Sequence, residues 1–150
     1  VGASLRSLTA DGRHLILPFA ADEVRPAMRG AVLAPWPPRI PDGRCLFDGE
    51  EQQLVVDEAA TRTASHGLAA WLDFDLVDLS ARGVRLGSTI ALQPGYPWRV
   101  RLDAEIELDE FGLRQTLHAT NESATPAPVW ICCAMVQPRP VPRFECHHAE

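Results

Sequence analysis

Apolar and polar residues alternate in short runs along most of the chain, and turn residues separate the runs. Over residues 98–108, Val100, Leu102, Ala104, Ile106 and Leu108 share one face of a strand, while Arg99, Arg101, Asp103, Glu105 and Glu107 share the other. Residues 72–79 alternate too: Leu72, Phe74 and Leu76, with Val77 ambiguous, stand against Asp73, Asp75 and Asp78. Residues 84–92 and 112–120 read as further strands. Upstream the runs are shorter. Residues 4–8 and 14–19 flank Asp11-Gly12, a hairpin signal, and residues 32–36 are apolar and run into prolines. A short strand over 45–47 lies between turns at Asp42-Gly43 and Asp48-Gly49, and residues 53–56 end in β-branched side chains. Residues 58–72 break the pattern and read as a short helix or as a loop bearing His66-Gly67. Serial hairpins with few helical periods predict an all-β, antiparallel architecture.

The pattern fades after about Asn121. Pro126, Pro128, Pro138, Pro140 and Pro142 crowd the end, and residues 130–136 are apolar without alternation. Residues 1–128 are therefore expected to form one structural unit, and 129–150 an atypical Pro- and Cys-rich tail. The codons permitted for 129–150, read one base out of frame, allow a Gly-rich step, Pro-Trp-Phe and a Pro-Gly turn. An extra base after the codon for Pro128 is the expected cause of the lost periodicity.

Length and composition narrow the function. A chain of 150 residues, 46% hydrophobic and 23% charged, suits one soluble domain or part of a larger one. All fourteen basic residues are Arg, against twenty Asp and Glu, for a net charge of −6. An acidic chain without a basic stripe is a poor nucleic-acid binder. No apolar run is long enough to cross a membrane as a helix. The first apolar stretch is broken by Asp11, Arg13 and His14, so no signal peptide is expected. Cytoplasmic location is expected on that ground and on the cysteines. Cys45, Cys132, Cys133 and Cys146 show no CxxC spacing, and a disulfide framework is not expected. Cys146, His147 and His148 are a poor metal site, because adjacent residues rarely reach one ion together.

Few single residues suggest chemistry. His66 precedes Gly67, whose backbone freedom can aim the ring, although a loop histidine capping a strand end is the plainer reading. Arg39 sits in a stiff setting of Trp36, Pro37 and Pro38, which suits a guanidinium that meets hydroxyls; a surface arginine in a turn is the plainer reading. Trp36, Trp71, Tyr96 and Trp98 are candidates for stacking on a sugar face or for the core. Asp73, Asp75 and Asp78 read as a solvated face. There is no Ser-His-Asp order, phosphate loop or dinucleotide fingerprint.

The stretches together say more. Gly30, Leu33, Pro35, Arg39, Ile40 and Gly43 follow a Gly-x-x-Leu-x-Pro-x-x-Asn-Arg-Ile-x-x-Gly pattern, with Pro38 in place of the Asn. Phe47-Asp48-Gly49, His66-Gly67-Leu68 with Trp71, Pro94-Gly95-Tyr96-Pro97-Trp98, and Gly112-Leu113 with Asn121 and Ala127-Pro128 follow in order. This ordered set resembles the N-terminal half of the aldose 1-epimerases, or galactose mutarotases. The resemblance implies a large antiparallel β-sandwich with an open sugar groove. It also implies interconversion of the α and β anomers of free hexoses by acid–base ring opening and closure, with no cofactor and no metal.

Carried over, Arg39 becomes a substrate-binding clamp. His66 becomes a substrate-binding and catalytic residue that positions or polarises the ring oxygen. The lost Asn at Pro38 removes one expected contact to sugar. The family's acid histidine would fall near Ala134, where there is none, and its base glutamate beyond residue 150. The 150-residue chain by itself is therefore expected to be inactive, and half a sandwich is expected to expose an apolar face and to be marginal, aggregation-prone or dependent on a partner. Three other readings are a structural remnant with no activity, a non-catalytic carbohydrate-binding member of the superfamily and a hexose-6-phosphate epimerase. The last would want further arginines at the groove, with Arg25, Arg29 and Arg99 as candidates.

Overall fold

Asp-Gly pairs place the tight turns. Asp11-Gly12, Asp42-Gly43 and Asp48-Gly49 each take positive φ at both residues, which suits the twist of flanking antiparallel strands. In the computed structural model, which describes residues 1–36 and 38–133, the first pair joins β1 (Leu8–Ala10) to β2 (Arg13–Ile16). A 3-10 turn at Pro26–Met28 leads to β3 (Val32–Leu33) and β4 (Arg39–Pro41). The second pair joins β4 to β5 (Arg44–Phe47), and the third closes a hairpin between β5 and β6 (Glu50–Gln53). β7 (Thr63–Ser65) pairs antiparallel with β4, and a second 3-10 turn, Ala69–Trp71, follows.

The second half of the described chain is one meander. β8 (Asp75–Leu79), β9 (Gly83–Ile90), β10 (Val100–Asp109) and β11 (Gly112–Asn121) form an antiparallel sheet in the order β11-β10-β9-β8. Its register sets Leu76, Leu86, Ala104 and Leu117 side by side across all four strands, so alternation along each strand becomes one continuous apolar face. Between Leu76 and Asp78 the β8–β9 register shifts. That bulge resets the alternation, puts Leu76 and Leu79 on the same face, and explains why Val77 is ambiguous in the sequence.

The core lies where one end of this face meets the short strands. Ile90, Val100, Leu102 and Ala104 pack with Val32, Ala34, Trp36, Leu54, Ala64, Tyr96 and Trp98. Burying each of Ile90, Val100 and Leu102 stabilises the fold by about 1.5–3 kcal/mol. The same face is open along the edge strand β8 and at its far end: Leu76, Leu79 and Leu108 are more than half exposed.

The all-β, antiparallel class read from the sequence is the observed one. Boundaries differ in particular places. The strand expected at 4–8 begins only at Leu8. The one expected at 53–56 is β6, which ends at Gln53; Leu54 is buried, but Val55 and Val56 are exposed and unpaired in any strand. The break expected after residue 128 falls within packed chain. Val129 and Ile131 lie against the core, the Trp130 amide donates to the Pro35 carbonyl at 2.9 Å, and β12 (Cys132–Cys133) pairs with β3. The rest of the tail, with Cys146, His147, His148 and most of the stretch assigned to a shifted frame, lies outside the described residues. Among the described residues, no helix is long and apolar enough to cross a membrane.

Candidate functional site

β4 and β7 bring the two sequence candidates together. Their register pairs Arg39 with Ser65, and the His66 amide donates to the Pro38 carbonyl at 2.8 Å. The residue after Ser65 therefore stands next to the residue before Arg39. His66 and Gly67 both take left-handed backbone conformations, φ 65° and 69°, and turn the chain sharply out of β7. Beyond the turn, the Ala34 carbonyl accepts from the amides of Leu68, at 2.6 Å, and Ala69, at 2.9 Å. This double acceptor seats the Ala69–Trp71 turn against β3.

Arg39 and His66 line one open cavity of about 480 Å³ with Arg25, Met28, Asp57 and Glu58 among its other walls. That size falls within the range of small-molecule sites. His66 is half-buried, and among the described residues nothing partners its buried Nδ1. A buried polar atom without a partner is uncommon in a folded protein and marks this imidazole as unusual. Met28 and its neighbour Ala27, also a wall residue, sit at φ 58° and 48°. Backbone strain of this kind costs of order 1–3 kcal/mol per residue and concentrates at functional sites.

Glu58 was not singled out from the sequence, yet it organises this wall. Its carboxylate accepts from Arg39 twice, from Nε at 2.6 Å and from Nη2 at 3.1 Å. It also accepts from Ser65 Oγ at 2.7 Å and Thr63 Oγ1 at 3.2 Å. The neighbouring Asp57 accepts from the Ser65 amide at 2.7 Å. The Arg39 hydrogen bond and then the Ser65 hydroxyl hold the Glu58 carboxyl down to about 2, and Glu58 in turn raises Arg39. Glu58 is therefore a fixed negative charge near neutral pH. A faint signal existed: a strand over 63–65 would put Thr63 and Ser65 on one face beside Arg39.

The other candidates have partners of their own, Arg25 among them although it lines the cavity. Arg25 is buried, and its guanidinium donates to the Ala70 carbonyl and Ser4 Oγ, each at 2.6 Å, and covers the Trp71 ring at 4.6 Å. Arg29 leans on the Pro18 carbonyl at 3.4 Å, and Arg99 pairs with Glu122 at 2.9 Å. Trp36, Tyr96 and Trp98 are buried and join Phe47 in an edge-to-face cluster, with centroids 5.1–6.1 Å apart. They are core; Trp71, under Arg25, is not a wall of the cavity.

Residues 1–131 match the model of the family described as aldose 1-epimerase. The chain belongs to the aldose 1-epimerase family. As a member of that family it is 36% identical over 129 residues to the uncharacterized protein YihR of Escherichia coli K12, a match that covers 85% of this chain and 42% of YihR. Its fold superposes on a crystal structure of a GalM/aldose epimerase homologue from C. elegans with a TM-score of 0.77 at 20% identity, over 91% of this chain and 45% of that one. A galactose 1-epimerase from Lactobacillus acidophilus NCFM gives 0.67 at 23% identity, over 81% and 39%. The shared fold is that of galactose mutarotase-like β-sandwiches, and the chain spans less than half the length of the aldose epimerase relatives it matches.

Proposed function

We propose that this chain carries the sugar-gripping half of an aldose 1-epimerase acting on free hexoses. The observation that supports the reading is the shared cavity of Arg39 and His66, reached from motifs far apart in sequence by a single strand pairing. In this reading the Arg39 guanidinium donates to sugar hydroxyls, for which a planar set of N–H donors is well suited. His66 presents its imidazole to the ring oxygen, where it positions or polarises the bond that breaks. Epimerisation then needs an acid to protonate the ring oxygen and a base to take the anomeric hydroxyl proton. The ring opens to the aldehyde, turns about its first carbon–carbon bond and recloses. Glu58, held at about 2, is too weak a base for the second transfer near neutral pH. The chain grips the sugar, and residues outside those described supply the acid and base.

The hexose-6-phosphate alternative has less support, because Arg29 and Arg99 are engaged elsewhere and Arg25, though a wall of the cavity, directs its Nη groups to Ser4 Oγ and the Ala70 carbonyl. Two measurements test the proposal. D-Galactose or D-glucose added to the ¹⁵N-labelled chain shifts the amides of Arg39, Ser65 and His66; shifts confined to other surfaces refute the assignment. Polarimetry of freshly dissolved α-D-galactose with the full gene product then shows mutarotation faster than buffer. Sugar binding with buffer rates supports the carbohydrate-binding alternative instead.

A further inference from the structure

We propose that Glu58 is a positioning residue that presents Arg39 to the sugar. The inference rests on the sugar-gripping role assigned to Arg39 above and goes beyond it. An arginine side chain that is 46% exposed has many rotamers to lose when it binds a ligand. An ordinary surface ion pair would do little to restrict it. This pair is of another kind. Both carboxylate oxygens engage the guanidinium, at 2.6 and 3.1 Å, in the parallel geometry that fixes its plane.

The carboxylate is itself anchored at three points. The backbones of Glu58 and Thr63 exchange two hydrogen bonds, at 3.1 and 3.2 Å, which fix where the glutamate leaves the chain. The hydroxyls of Ser65 and Thr63 then hold its Oε2. Ser65 is the cross-strand partner of Arg39, so the chain of contacts closes on itself: Arg39 to Glu58, Glu58 to Ser65, and Ser65 back to Arg39 through the β4–β7 ladder. The clamp takes Nε and one edge of Nη2, which leaves Nη1 and the other N–H of Nη2 for a ligand. All three of Arg39, Glu58 and Ser65 line the cavity with His66. Glu58 acts through Arg39: of the four hydrogen bonds its carboxylate accepts, two come from the guanidinium, and the two from Ser65 and Thr63 hold the carboxylate in place.

A double-mutant cycle with D-galactose as the probe tests this. Titration calorimetry of the full chain is expected to show Glu58→Gln weakening binding about tenfold, the order of affinity lost when one long side chain must be ordered on binding. Arg39→Ala weakens it further, and Glu58→Gln adds nothing in the Arg39→Ala background. The Arg39 Nε–H resonance, identified by its loss in Arg39→Ala, is expected to be sharp and protected in the parent and exchange-broadened in Glu58→Gln. Glu58→Asp, one methylene shorter, keeps the charge and recovers part of the affinity. It also serves if the glutamine variant folds poorly. Parent-like binding by Glu58→Gln and Glu58→Asp beside a weakened Arg39→Ala overturns the positioning role and leaves the sugar site standing. An undiminished Glu58→Gln effect in the Arg39→Ala background also overturns it. Parent-like binding by Arg39→Ala overturns both this inference and the reading on which it rests.

Discussion

Gly67 connects the fold to the site, and its replacement by alanine isolates that connection. At φ 69° the backbone is left-handed, which costs an L-residue about 1–2 kcal/mol. A methyl group there would also run into the Ala34 carbonyl, which is main chain and cannot swing aside. That carbonyl holds the amides of Leu68 and Ala69 at 2.6 and 2.9 Å, and each of these bonds contributes about 0.5–1.5 kcal/mol. Relieving the overlap weakens both. Gly67→Ala should therefore destabilise the chain by about 3 kcal/mol, or roughly 6–12 °C in Tm for a chain of this length. Gly12→Ala is the matched control. Gly12 has φ 72°, but a methyl there meets nothing within 4 Å, so only the backbone cost of about 1–2 kcal/mol applies. Circular-dichroism melts of the two variants beside the parent give the comparison. Equal shifts for both would refute the claim that Ala34 and Gly67 are in packed contact.

Folding lowers Glu58 from its ordinary 4.5 to about 2, so the folded state favours the carboxylate. Its stabilising contribution is complete above about pH 4.5 and is lost as pH falls through 2. Urea midpoints of the parent and Glu58→Gln should therefore differ at pH 6 and converge by pH 2; a pH-independent difference would contradict the clamp. Leu76 and Leu79 are 60% and 69% exposed at the open edge of the sheet. Leu76→Thr with Leu79→Thr should reduce self-association in sedimentation velocity while changing stability by no more than about 0.5 kcal/mol each, and a parent that stays monomeric at high concentration would show that this edge is not sticky.

Alternation in the sequence reports which face a residue takes, not whether anything covers that face. Over β10 the pattern was legible to the residue, because each side chain of a regular strand has one choice of two faces. The same pattern is silent on why Val100 is buried and Leu108 is half exposed, since that depends on which distant strands reach each end of the sheet. β4 and β7 were illegible for a different reason. Each is three residues long; one carries Ile40 between Arg39 and Pro41, and the other is made of small side chains, Thr63, Ala64 and Ser65. Neither has enough residues to show a period, and their pairing joins positions well apart in the chain. The ordered motifs point to Arg39 and His66 without needing that pairing.

Glu58 shows what such motifs leave out. Little marks it in sequence, because its contacts come from two strands too short to show a period: a backbone bridge and two hydroxyls from β7, and a guanidinium from β4. The same pairing that gives β7 its register supplies the hydroxyls that hold Glu58 and the sharp exit that carries His66. Fold and site are thus one set of interactions in this region. A change that loosens β4 from β7 should release Arg39 and displace His66 together, whereas a change in the four-stranded meander should leave both in place.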